Sequence, residues 1–281
     1  MALFSVNCLQ AGVDKTPLPL PLGVFNFDFK RIGATPAKQF DALEEMGYTG
    51  LAMNVSNPNQ VALLEEYKQN LAGRNLEIYA GYVVANLKDD NSELHAHVDK
   101  ALASLAPAGA SLWLIITETE QNRASVLETI GTIADQAKTA GVEFVLYPHD
   151  NCEIETAEEA LGYVRDLDRD DIFISLHFCH ELRGGNAERL TEVAEAIKPY
   201  LRLPTINGAA ADSATDTRED GWGRSIQPLD KGDFDTSRFL RALKAVGYEG
   251  PVILHTFGLQ SAEPDHHHRS IATYRQMLEA L

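Results

Sequence analysis

The 281-residue chain has only three cysteines, Cys8, Cys152 and Cys179. Odd in number and scattered, they suit neither a disulfide framework nor a CxxC metal cassette, so a reducing, cytoplasmic setting is expected. No apolar run approaches the roughly 18–20 residues that span a bilayer, and Met1 to Gln10 lacks the basic flank of a signal peptide. Cationic side chains are scarce: 24 Lys and Arg stand against 41 Asp and Glu, a net charge of −17. Duplex binding needs cations to displace counterions from phosphates, so nucleic acid and anionic membrane are both disfavoured as partners. No GxGxxG follows the first strand-like segment and no GxxxxGK[ST] occurs anywhere, which removes the usual signs of a nucleotide-binding open sheet. No low-complexity linker divides the chain.

What is present is alternation. Strand-like segments fall at Leu22–Phe29, Gly50–Val55, Leu76–Val84, Ser111–Thr117, Val142–Tyr147, Ile172–Phe178, Leu201–Asn207 and Pro251–Thr256. Several are apolar at consecutive positions (LWLII, FVLY), as in strands buried on both faces between helices. Helical patterns fill the gaps: Pro36 to Gly47, capped by Thr35, then 59–72, 92–106, 122–140, 156–167, 187–197, 236–246 and 268–281. Two helix exits share a Gly-Tyr-x-Gly motif, at Gly47 and at Gly247, where the first glycine suits a left-handed helix end. Eight strands alternating with eight helices predict a single (β/α)8 barrel, α/β in class, over residues 1–281. Residues 1–21, with Pro17, Pro19 and Pro21, read as an extended arm. Residues 208–233 form the longest irregular stretch and read as an active-site loop.

Barrel active sites lie where strands end. Strand five ends in Tyr147-Pro148-His149, strand six in His177-Phe178-Cys179-His180, strand seven in Asn207-Gly208 and strand eight in His255-Thr256. Four of the nine histidines thus gather at three neighbouring strand ends, and imidazole serves both as metal ligand and as acid or base near neutrality. Trp222 and Arg224 in the long loop suit a sugar ring and an anionic group. Gln260, past strand eight, offers an amide. Asn26, Asp28, Asn54 and Glu118 complete the expected polar lining, whereas His266, His267 and His268 read as a solvated loop and helix start.

Several segments also resemble a known family. They are Phe40-Asp41-Ala42-Leu43 with Gly47-Tyr48-Thr49-Gly50-Leu51, then Tyr147-Pro148-His149, then Leu176 to His180. The closing run is Pro228-Leu229-Asp230-Lys231-Gly232-Asp233-Phe234-Asp235, then Leu240 to Leu254. Over nearly the whole chain these resemble the xylose isomerase-like barrels, the sugar phosphate isomerase/epimerase superfamily that includes apurinic endonucleases. In its metal-dependent members Glu, Asp, His and Glu from strands five to eight hold one divalent ion. Those positions fall here on Tyr147, His177, Asn207 and His255, so all four depart from the pattern, while His149 and His180 sit where the family has histidines.

The resemblance implies an isomerase, epimerase or lyase acting on a sugar or keto-sugar by proton transfer next to a carbonyl. His149, His180 and Tyr147 are the expected catalytic groups, and Asn207, Trp222, Arg224 and Gln260 the expected substrate contacts. His177 and His255, joined by His149 or His180, would hold at most one divalent transition ion (Zn, Ni, Co or Mn), a metal-free site being the other expectation. The expected partner is a small carbohydrate, with homodimer formation a habit of the family. Loss of the four ligands also motivates a different class, a sugar-binding or regulatory barrel without catalysis. Net charge disfavours a nuclease.

Overall fold

The computed structural model describes residues 17–215 and 221–281. Among them eight parallel strands form one sheet: β1 Leu22–Phe25, β2 Gly50–Asn54, β3 Glu77–Ala85, β4 Ser111–Ile116, β5 Phe144–Leu146, β6 Ile172–Ile174, β7 Thr205–Ile206 and β8 Val252–Leu254. Their order is 6-5-4-3-2-1-8-7. Parallel bridges Ile174 to Leu201 and His177 to Thr205 join the two ends of that order and close the ring. Hydrogen bonds Arg202 N–H to Ile174 O (2.9 Å) and Thr205 N–H to Leu176 O (3.0 Å) make the seam. The (β/α)8 barrel expected from the alternation is what forms.

The outer helices are α1 Pro36–Met46, α2 Pro58–Leu71, α3 Ser92–Leu105, α4 Arg123–Ala140, α5 Ala157–Leu167, α6 Phe178–Arg183, α7 Leu190–Ile197, α8 Ser237–Ala245 and α9 His266–Glu279. Their starts obey local chemistry. The side chains of Thr35, Asn122 and Thr156 accept backbone N–H groups of the first turns of α1, α4 and α5, satisfying donors that have no partner inside the helix. The two Gly-Tyr-x-Gly exits behave alike. Gly47 (φ +90°) and Gly247 (φ +71°) are left-handed, and the next N–H returns to Leu43 O and Leu243 O, each at 3.0 Å.

Strand alternation sorts the core into two layers. Phe25, Ala52, Ala80, Tyr82, Trp113, Val145, Tyr147 and Ile253 point inward and fill the barrel. Leu112, Leu114 and Ile116 of β4 point outward, under the helices, with Leu43, Leu102, Ile130 and Val193. This is why LWLII is apolar at every position: both faces are covered. Burying a side chain such as Phe25, fully enclosed here, contributes about 1.5–3 kcal/mol.

Several boundaries differ from expectation. β1 stops at Phe25 because Asn26–Arg31 turns into a 3-10 helix. β6 stops at Ile174, and the His177 carbonyl accepts from His180 N–H (3.1 Å) and Glu181 N–H (2.9 Å), starting the short α6 inside the expected strand end. The last helix begins at His266, not His268, and His266 and His267 are buried, not solvated. Of the expected arm, residues 1–16 lie outside the described residues. Leu20 is buried, and the Pro21 carbonyl accepts from Val252 N–H (2.8 Å) beside β1.

The long loop, of which residues 216–220 lie outside the described residues, is tied down at its base. Gly208 and Gln227 exchange hydrogen bonds of 3.0 and 2.8 Å, Ala210 N–H donates to Arg224 O (2.8 Å), and Phe234 N–H to Ala209 O (3.1 Å). Gly232 (φ +84°) lies so close to Ala209 that a Cβ there would overlap its carbonyl. Gly232→Ala is therefore expected to lower stability by more than about 1 kcal/mol. Denaturant titration checks this: the midpoint should fall with an unchanged slope, and an unchanged midpoint would mean the loop base is loose.

Candidate active site

The alternation that builds the barrel also aims the site. Val145 and Tyr147 share the inner face, as do Ile253 and His255 and, on strand six, Phe173 and His177. The inward side chains at the strand ends therefore include Tyr147, His177 and His255, with Trp113 beneath them. The Trp113 ring contacts Tyr147 edge-on (5.3 Å between centroids) and His177 (5.6 Å). His177 stacks on Tyr147 at 3.4 Å, and its Nδ1 meets Thr205 Oγ1 at 2.9 Å. His177 thus faces inward.

Hydrogen-bond partners fix the protonation pattern of the other rings. His149 Nδ1 lies 2.8 Å from the Asp150 carbonyl, with the Cys152 sulfur further off at 3.5 Å. A carbonyl can only accept, so Nδ1 carries the hydrogen and Nε2 keeps its lone pair. His180 is the reverse: its Nδ1 accepts the backbone N–H of Asp150 (3.3 Å), so Nε2 carries the hydrogen, and this buried atom has no other partner. The two rings are 4.1 Å apart. His255 Nδ1 accepts from Phe257 N–H (3.4 Å), leaving its Nε2–H to donate to the Tyr147 hydroxyl (3.3 Å).

Trp222 closes one side, edge-on to His149 (5.5 Å) and His180 (5.1 Å). Over it lies the Arg183 guanidinium, 3.9 Å from the ring. Arg183 is buried, pairs with Asp150 (3.0 Å), and donates to Ser225 Oγ (2.9 Å) and to the Gly221 carbonyl. Asn207 is buried too, and its amide donates to the carbonyls of Gly208 (2.8 Å) and Ser225 (2.7 Å), holding the loop. Arg224 is exposed and pairs with Asp212, and Gln260 is exposed and donates to the Phe27 carbonyl (3.4 Å). The guanidinium that meets the imidazole cluster is Arg183, which sequence reasoning missed. Its signal is the i,i+3 spacing from His180 on α6, legible only once that helix is known.

Burial sets the charge state. It pushes His149 below the ordinary imidazole range, His177 and His180 well below it, and His255 down to about 3. It raises Tyr147 far above the usual phenol value and the Cys179 thiol to about 12. At neutral pH the cluster is uncharged.

The sequence profile of the xylose isomerase-like TIM barrel family matches residues 40–279, from α1 to the end of α9. The chain belongs to the xylose isomerase-like TIM barrels. A ketose 3-epimerase from Arthrobacter globiformis is 26% identical over 140 residues, which is 48% of this chain and 42% of that protein. The solved 3-keto-D-glucoside 4-epimerase from E. coli superposes with a TM-score of 0.71 at 17% identity, covering 92% of this chain and 99% of that one. An IolI protein solved with a bound zinc atom superposes at 0.69 with 16% identity, covering 93% and 99%. No helix among the described residues of this barrel is long and apolar enough to cross a membrane.

Among the described residues, two buried groups have the spacing to gather round a metal ion: Cys179, His180 and His255, and Asp28, His266 and His267. The first does not fit a divalent ion. To ligate through Nε2, His180 and His255 would each turn an Nδ1–H against a peptide N–H, and the third donor is a protonated thiol. At the family's ligand positions, the Tyr147 phenol is held neutral and already accepts from His255.

Acid should therefore undo this site. The imidazoles titrate near 6.5 when unfolded and lower when folded, so their stabilisation is complete above that value and is lost as pH falls through the folded values, about 3 for His255. Glu181 opposes them. Burial raises it to about 7, so its contribution is present below the unfolded carboxylate pKa and is lost as pH rises through 7. Four groups outweigh one, and the thermal midpoint should fall between about pH 7 and pH 4, with proton uptake on unfolding. A midpoint that rises on acidification would show the imidazoles to be solvated.

Proposed function

We propose that this barrel is a sugar isomerase or epimerase-like enzyme that moves a proton next to the carbonyl of a small sugar or keto-sugar. The opposed imidazole pair carries the reading. His149 presents a lone pair and His180 an N–H, with rings 4.1 Å apart, both against Trp222. Held neutral by burial, the pair offers one basic lone pair and one hydrogen-bond donor at physiological pH. His149 takes the proton from the carbon beside the carbonyl. The His180 N–H donates a hydrogen bond to the enediolate oxygen, and the His149 imidazolium returns the proton to carbon when the intermediate collapses, which restores both rings.

Tyr147 supplies the third role. Its oxygen accepts from His255, so its own hydrogen is left to donate to the carbonyl oxygen, where negative charge builds in an enediolate. Trp222 and Phe27 offer flat apolar faces for the C–H side of a sugar ring. The names of the Arthrobacter relative and the E. coli structure, both sugar epimerases, support the same substrate class. No step runs through a metal.

The absence of a carboxylate at Tyr147, His177, Asn207 and His255 favours a second reading, a sugar-binding barrel without catalysis. Solvent deuterium exchange separates the two. Ketoses, aldoses and keto-glycosides incubated in D2O should gain deuterium beside the carbonyl, followed by NMR. His149→Gln and His180→Gln should each slow exchange by about 10²–10⁴-fold, with binding retained. A sugar that binds and never exchanges would establish the second reading.

A further inference from the structure

The other buried triad lies away from the imidazole pair. Asp28 sits in the 3-10 turn that follows β1, and His266 and His267 are the first two residues of α9. They are 238 and 239 positions apart in sequence, yet both Nε2 atoms converge on one carboxylate oxygen, Asp28 Oδ2, at 2.7 and 3.1 Å. Each residue is no more than 2% exposed. The three ligand atoms lie within 4.8 Å of one another, so small ring rotations would open the roughly 3.3–3.6 Å spacing that a tetrahedral ion with bonds of about 2.0–2.2 Å requires.

The contrast with the barrel mouth is chemical. His180 and His255 are locked by peptide N–H groups on Nδ1. In His266 and His267 neither Nδ1 has a partner, so nothing prevents each ring from carrying its hydrogen there and turning an Nε2 lone pair on the carboxylate oxygen's neighbour. The second carboxylate oxygen, Asp28 Oδ1, is also buried and unpartnered. Unpartnered buried polar atoms are costly, and an ion would use this one. A cavity of about 620 Å³, lined by Asn26, Asp28, Arg31, Gln39, Tyr67 and Gln260, lies beside the turn that carries Asp28.

We propose that Asp28, His266 and His267 form a divalent transition-metal site of two imidazoles and one carboxylate, suited to Zn²⁺, Co²⁺, Ni²⁺ or Fe²⁺, which staples α9 to the end of β1. It is separate from the strand-five-to-eight positions and does not depend on the proposed sugar chemistry. The ion takes the place now held by hydrogen bonds. It replaces two N–H···O contacts by Nε2–metal bonds while each ring hydrogen moves to Nδ1.

The test uses the full chain without a histidine tag, stripped by chelator and reloaded with Zn²⁺. One retained equivalent and a thermal midpoint raised by several degrees are expected, with both lost in Asp28→Asn and in His267→Gln and kept in His255→Gln. If those variants do not fold, X-ray absorption on the zinc-loaded wild type decides: two imidazole nitrogens with oxygen and no sulfur support the site. A sulfur scatterer, retention in His267→Gln, loss in His255→Gln, or no retained zinc overturns it.

Discussion

One residue's backbone governs the site. The N–H of Asp150 donates to His180 and its carbonyl accepts from His149, so two adjacent imidazoles of like chemistry are forced into opposite tautomers. The side chain of Asp150 adds a third constraint by holding Arg183, which covers Trp222. Asp150 and Asn151 form the turn just past β5, and Asn151 itself is left-handed (φ +63°) with its N–H on Glu155. The tautomer pair is therefore as rigid as this turn, and backbone dipoles cannot be titrated away as a carboxylate can.

That arrangement changes how a family site works when its carboxylates are gone. A carboxylate pair around an ion places concentrated charge in the barrel and needs the ion to balance it. Here burial removes charge from every ring, so the mouth is neutral although the chain carries −17. The interior can stay dry and uncharged, and the acidic surface is left to solubility. Directed hydrogen bonds, rather than ionic attraction, fix the orientation of the rings.

The fold was legible because its signal is repeated. Doubly buried runs such as Ser111 to Ile116, helix caps such as Thr35 and the twin Gly-Tyr-x-Gly exits each report the same alternation. Strand ends were less so: the Ile172-to-Phe178 run contains no glycine or proline to mark a stop, and only the return of two N–H groups to the His177 carbonyl shows that α6 has begun. The inward histidines could be placed by strand period once the ends were known. Arg183 could not, since its approach to Trp222 joins α6 to a loop 39 residues later. His266 and His267 looked solvated because a polar run before a helix is ordinarily exposed; their burial depends on Asp28, at the opposite end of the chain.

The chain contains two tryptophans. Trp113 forms the floor beneath Tyr147 and His177, fully buried, and Trp222 forms the wall beside His149 and His180. Every indole in the molecule therefore touches the imidazole cluster, one in a dry environment and one at the rim. Emission excited selectively from indole, away from tyrosine absorption, is thus a report on this one site: the floor responds to the protonation of the rings above it, and the wall to changes at the rim.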